Sequence, residues 1–190
     1  MKFQTTEVSF SCGHRIWGNS NKCSHMHGHD ATAVLHLSTP ILNDESNFQW
    51  FDRFVRSHID GKFIVDINDP FINGILDGGD ILFEADRPYL QLSKHYGREK
   101  LSIIPIIEAQ DTCLGYSINV AHWGDEPKRQ FYEGFTLVNF NPTSYNCAAW
   151  IHDLAHAHLR STQWAIEQTA WHQSRTYVST YRPAARKQEA

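Results

Sequence analysis

The sequence predicts an α+β fold, an antiparallel sheet with helices packed on one face. Three observations carry that expectation. Phe3–His14 and Ala31–Ser38 alternate apolar and polar residues with the period of two that a half-buried strand requires. The segment from Ser46 to Ile59 changes to helical spacing, with Phe48, Phe51, Phe54 or Val55, and Ile59 recurring. A second helical run follows Pro142-Thr143, and the overall order reads β-β-α-β-α-β-β.

In chain order, Val8 and Phe10 share one face of the first strand. A polar loop with Gly13, Gly18 and Asn19 to Asn21 leads to the second strand, where Ala31, Ala33, Leu35 and Leu37 share a side. An antiparallel pair follows from that arrangement. Asn and Ser residues before Phe48 are suited to cap the first helix. Between Phe71 and Glu133 the pattern is broken by Gly74, Gly78, Gly79, Gly97, Gly115 and Gly124. We expect a single domain over residues 1–190, with 71–133 inserted as a lid, an assembly contact or an excursion. Its rings Tyr116, Trp123, Phe131 and Tyr132 either cover a ligand or pack within the segment itself. Phe135–Phe140 reads as a strand, and Ala148, Ile151, Leu154, Ala155 and Leu159 as the apolar side of the next helix. Gln163–Ala170 and Arg175–Thr180 read as closing strands before a polar tail, 182–190.

Composition narrows the function. The 190 residues are 41% hydrophobic and 20% charged, ordinary for a globular chain. A net charge of -4 argues against a nucleic-acid partner, which favours a basic surface. No apolar run reaches the length of a membrane span, and the start of the chain lacks the apolar core of a signal peptide. Cys12, Cys23, Cys113 and Cys147 are scattered, and read as reduced thiols of a cytoplasmic protein.

The twelve histidines cluster twice. In Cys23-Ser-His-Met-His-Gly-His29, His27 and His29 are two apart, so a strand points both imidazoles the same way. His14, at the end of the preceding strand, is placed to add a third ligand, and three imidazoles with one open position form a catalytic zinc site. A merely polar surface cluster is the competing interpretation. The second group, His152 and His156 on one helix face beside Asp153, echoes a zinc-hydrolase motif with Asp in place of Glu. A polar helix face with histidines near its C-terminal end explains it as well.

"FSCGHRI" (10–16) followed by "CSHMHGH" (23–29) resembles the paired signatures of the 6-pyruvoyl-tetrahydropterin synthase and 6-carboxy-tetrahydropterin synthase family. Phe51–Pro70, Asn141–Ile151 and Trp164–Thr169 are similar to further family segments in the same order. The resemblance implies a tunnelling (T-fold) architecture, a four-stranded antiparallel sheet with two helices, assembled from several subunits with active sites between them. It implies zinc on His14, His27 and His29, Cys23 as proton acceptor, and a small-molecule pterin substrate. Asp60 matches the Asp that orients a catalytic His, although a helix-end Asp fits equally. Glu167 matches a pterin-binding Glu, whose carboxylate accepts two parallel hydrogen bonds from a 2-aminopyrimidinone edge. Thr143 belongs to the Asn-Pro-Thr motif, as helix cap and candidate substrate-binding residue. The activity implied is a zinc-dependent lyase acting on 7,8-dihydroneopterin triphosphate, and we favour the carboxy-forming branch of 7-deazaguanine (queuosine-type) biosynthesis over the pyruvoyl-forming one. Two positions depart from the pattern: Gly61 stands where the catalytic His is expected, and Tyr145 where Glu is usual. His58, His95, His122 or water would have to replace the missing imidazole. A zinc-containing pterin- or purine-binding module without turnover is the alternative.

Overall fold

Alternation along the first two segments produces a long hairpin. The computed structural model describes residues 1–40, 48–85, 87–106, 108–109, 112–123 and 127–183. Strand β1 (Lys2–His14) pairs antiparallel with β2 (His27–Thr39) in one uninterrupted register, from Lys2 opposite Thr39 to His14 opposite His27. Helix α1 (Gln49–His58) follows; its expected capping residues at 43–47 lie outside the described residues. The chain then forms β3 (Lys62–Asp66), the single turn α2 (Ile72–Ile75), β4 (Asp80–Glu84), β5 (Arg87–Gln91) and β6 (Lys100–Pro105). A two-residue ribbon, β7 (Glu108–Ala109) with β8 (Thr112–Cys113), precedes β9 (Tyr116–Ile118), α3 (Pro127–Glu133) and β10 (Phe135–Val138). Helix α4 (Ser144–Leu159) leads to β11 (Ala165–His172) and β12 (Val178–Tyr181).

Ten strands form one sheet in the order β12-β11-β2-β1-β3-β10-β9-β6-β5-β4. Four of the five strands expected from the sequence are contiguous and antiparallel at one end, and the fifth, β10, lies beyond β3. The sheet continues beyond them through β3, which runs parallel to both β1 and β10. The inward faces of β1 and β2 supply Val8, Phe10, Cys12, Ala31, Ala33, Leu35 and Leu37 to a core closed by Phe51 and Val55 of α1 and by Ala148, Ile151 and Ala155 of α4. Thr143 caps α4 by accepting a hydrogen bond from Asn146 N–H at 3.2 Å.

Residues 71–133 build the far half of the sheet over a second core of Leu76, Leu90, Leu101, Trp123, Tyr132 and Leu137. Trp123 and Tyr132 are buried there, 5.9 Å apart, with the Tyr132 hydroxyl donating to Leu76 O. They therefore pack within their own segment, and Phe131 remains on the surface. Among the described residues no helix is long and apolar enough to cross a membrane.

Candidate metal centre

The β1–β2 register places His14 directly opposite His27, and His29 lies two residues further on the same face. Ring centroids are 4.7 Å apart for His14 and His27, 5.2 Å for His14 and His29, and 4.8 Å for His27 and His29. One ligand nitrogen from each lies within 4.8 Å of the others. Among the described residues this is the group of His, Cys, Asp or Glu side chains that can hold a metal ion.

Two of the imidazoles are held through Nδ1. His14 Nδ1 donates to Pro142 O at 2.6 Å, and His27 Nδ1 to His25 O at 2.7 Å. A carbonyl oxygen only accepts, so Nδ1 carries the proton in both rings and Nε2 keeps its lone pair. The side-chain amide of Gln173 sits 2.6 Å from His29 Nε2. His14 Nε2 is buried with no hydrogen-bond partner among the described residues. An orphaned lone pair next to two further imidazoles is the donor set that zinc takes, so the residues present fit the metal.

Burial pushes the His14 pKa down to about 4, reinforced by His27 and His29 and opposed by the Pro142 carbonyl. Burial, then His27, also lowers His29. In the unfolded chain a histidine titrates near 6.5. The neutral His14 therefore contributes stability that is complete above pH 6.5 and is lost as the pH falls towards 4. Metal-free protein should lose roughly 3 kcal/mol over that window from His14 alone. Urea midpoints of chelated protein at pH 7.5 and 4.5 measure this, and equal midpoints would contradict it.

A cavity of about 510 Å³ lies on the opposite face of the hairpin from the cluster, lined among others by Ser11, Gly13, Gly28, Asp30, Gly61 and Phe63. That volume suits a small-molecule ligand. Gly61 has φ +69°, and a β-carbon added there would meet nothing within 4 Å. A histidine in that left-handed conformation would be strained, so the turn itself is built for glycine.

Cys23 lies in the 3₁₀ turn Lys22–Ser24 of the β1–β2 loop, half-buried and four residues before His27. Asp60 follows the end of α1 and faces the edge of β1. Its carboxylate accepts Ser11 N–H at 3.0 Å and Arg56 Nη1 at 2.8 Å, and these two bonds hold its pKa below the usual carboxylate range. Arg56 Nη1 also donates to Ser9 O, and Gly61 N–H to Ser11 O. Asp60 and Arg56 thus satisfy the edge of β1 where β3 no longer reaches it, and among the described residues no histidine leans on Asp60. His58 packs on Phe54, while His95 meets the Tyr96 ring edge-on and His122 pairs with Glu99 in the second half of the sheet.

Glu167 is the extra residue of a β-bulge, since Ile166 pairs with Leu37 and Gln168 with His36. Ser38 Oγ donates to its carboxylate. Leu37 is eight residues along β2 from His29, about 26 Å at a strand's rise. Within one chain, then, Glu167 and the histidine cluster cannot touch the same small molecule. Glu167 instead shares a cavity of about 720 Å³ with His152, Asp153, His156, Arg160 and Trp164. His152 and His156 stack 6.1 Å apart there but gather no third metal-binding side chain among the described residues.

Passed over in the sequence reading are Gln173, which meets His29, and the pair of Arg15, next in the chain to His14, with Asp69. Arg15 Nε donates to Asp69 Oδ2 at 2.8 Å, with both side chains largely buried. Adjacent to them, Trp17 Nε1 donates to the buried Asp66 at 2.7 Å. The buried acids in "VDIND" (65–69) were a legible signal, because charge inside a strand end demands a partner.

The family model described as 6-pyruvoyl tetrahydropterin synthase matches residues 4–184. The chain belongs to the 6-pyruvoyl tetrahydropterin synthase family. No match is found among curated proteins. Of solved structures, an uncharacterized protein from Wolinella succinogenes superposes with a TM-score of 0.66 at 20% identity, covering 95% of this chain and 97% of that one. The likeness establishes a shared fold. The Plasmodium vivax 6-pyruvoyl tetrahydropterin synthase is also similar, with a TM-score of 0.47, 15% identity, and coverage of 96% and 99%. In this member of the 6-pyruvoyl tetrahydropterin synthase family, His14, His27 and His29 converge.

Proposed function

We propose that this protein is a zinc-dependent lyase that converts 7,8-dihydroneopterin triphosphate to 6-carboxy-tetrahydropterin. The observation that carries the proposal is the convergence of His14, His27 and His29, with an unpartnered buried Nε2, in a chain of this family. Zinc held there supplies Lewis acidity, polarising hydroxyls on the substrate side chain. Cys23, on the loop that leads into β2, accepts the proton those hydroxyls or the adjacent carbon release. Glu167 anchors the pterin ring by a paired hydrogen bond, and Thr143 stands at the substrate-facing end of α4. Because Glu167 lies about 26 Å from the cluster along β2, a single substrate meets both only if a second copy of the chain provides one of them. The proposal therefore includes a homo-oligomer with sites between subunits, in the cytoplasm.

The open space at Gly61 favours a second reading. Without an imidazole in that position, the same site binds a pterin or purine and turns over little or nothing. Zinc-loaded protein incubated with 7,8-dihydroneopterin triphosphate, followed by mass spectrometry, separates the possibilities. Release of triphosphate together with acetaldehyde is the expected result. Triphosphate without acetaldehyde would move the assignment to the pyruvoyl-forming reaction, and binding without consumption to the module.

A further inference from the structure

The loop that carries Cys23 is tied down at three successive backbone groups. Asn21 Oδ1 accepts Cys23 N–H at 2.8 Å, Ile16 N–H donates to Cys23 O at 2.9 Å, and Arg15 Nη1 donates to Ser24 O at 2.6 Å. The peptide groups on both sides of the Cys23 side chain are therefore fixed, while the thiol itself stays half-exposed. Two of the three ties come from residues 15 and 16, immediately after the candidate ligand His14.

Arg15 is itself anchored. Its Nε donates to Asp69 Oδ2, and its guanidinium lies 4.8 Å from the centre of the Phe71 ring. Asp69 accepts Phe71 N–H with its other oxygen at 2.8 Å, so its carboxylate cannot swing away. One turn of chain back, Asp66 fixes Trp17 through the indole N–H and Asn68 through two further bonds. A planar guanidinium with donors at fixed angles can span the carboxylate and the carbonyl together, whereas an ammonium serves as a single point of charge.

We infer that Arg15, held by Asp69, is the positioning residue that sets the Cys23 thiol against the metal centre. The inference rests on Cys23 being the proton acceptor of the proposed reaction. Arg15 touches no reacting atom in this role; it fixes the backbone from which the thiol projects. A misplacement of the order of 1 Å in a reacting group costs roughly a hundredfold in rate, so the loss of one tie is measurable.

The test compares Arg15→Lys with the wild type, both as full-length zinc-loaded protein, with Asp69→Asn as a second variant. Lysine retains the charge opposite Asp69 and so keeps the fold, but gives up the bond to Ser24 O. Three quantities are read: zinc per chain, the rate of iodoacetamide alkylation at Cys23 relative to Cys113, and steady-state kinetics. Expected are an unchanged zinc content and a several-fold faster alkylation of Cys23 relative to Cys113. A fall in kcat of roughly tenfold or more should accompany these, with KM altered far less. A Cys23 alkylation ratio and kcat equal to the wild type in both variants would overturn the inference. Cys23→Ser separates the two claims: full turnover by that variant removes Cys23 from the proposed chemistry, while the alkylation ratio still decides whether Arg15 controls the loop.

Discussion

Alanine at His27 leaves the protein folded but unable to keep a stoichiometric metal ion. The side chain is half-buried at the very start of β2, outside both apolar cores, so its loss removes little packing. What it removes is one of three ligand nitrogens. Two imidazoles and water fall short of the three protein ligands that a catalytic zinc site uses. Zinc per chain after dialysis should fall from about one to well below a tenth. Circular dichroism and the thermal midpoint of metal-free protein should match the wild type. His156→Ala is the contrasting variant: it lies in the other histidine group, and should keep its zinc. Retention of a full equivalent by His27→Ala, or its loss from His156→Ala, would move the metal away from the β1–β2 hairpin. His14→Ala is the poorer probe, because His14 is 3% exposed and its loss opens a cavity beneath Pro142.

The cluster was legible in the sequence because a strand has a strict period of two. Alternation fixes which side of β2 receives His27 and His29, and the hairpin register then forces His14 opposite them. The far half of the sheet was not legible for the converse reason. Strands β4, β5 and β6 are five or six residues long, flanked by Gly78, Gly79 and Gly97, and expose Leu82, Phe83 and Ile104, so no clear apolar face repeats. Roles that depend on distant partners were hidden as well. Asp60 spends its carboxylate on a backbone N–H 49 residues earlier, and Arg15 finds its carboxylate 54 residues later. Glu167 was recognised by residue type, but the bulge that extrudes it and its distance from His29 follow from pairing, which spacing within one strand does not encode.

The Arg15–Asp69 pair also predicts a large stability effect. The side chains are 15% and 2% exposed, so the ions see little solvent screening. Breaking such a pair from one side strands the other charge, at a cost of about 3–5 kcal/mol. Asp69→Ala should therefore lower the thermal midpoint by roughly 6–20 °C, since a chain of this size shifts about 2–4 °C per kcal/mol. Arg15 would retain Ser24 O but face no anion, and Phe71 N–H would lose its acceptor. Replacing both charges tests the cause. In Arg15→Met with Asp69→Asn the apolar stem still packs on Phe71, and the Asn oxygen can still accept Phe71 N–H. That double variant should lose less than half of what Asp69→Ala loses, because no uncompensated charge remains inside. A double variant as unstable as Asp69→Ala would mean that the attraction between the ions, and not the burial of a lone charge, holds this corner of the fold together.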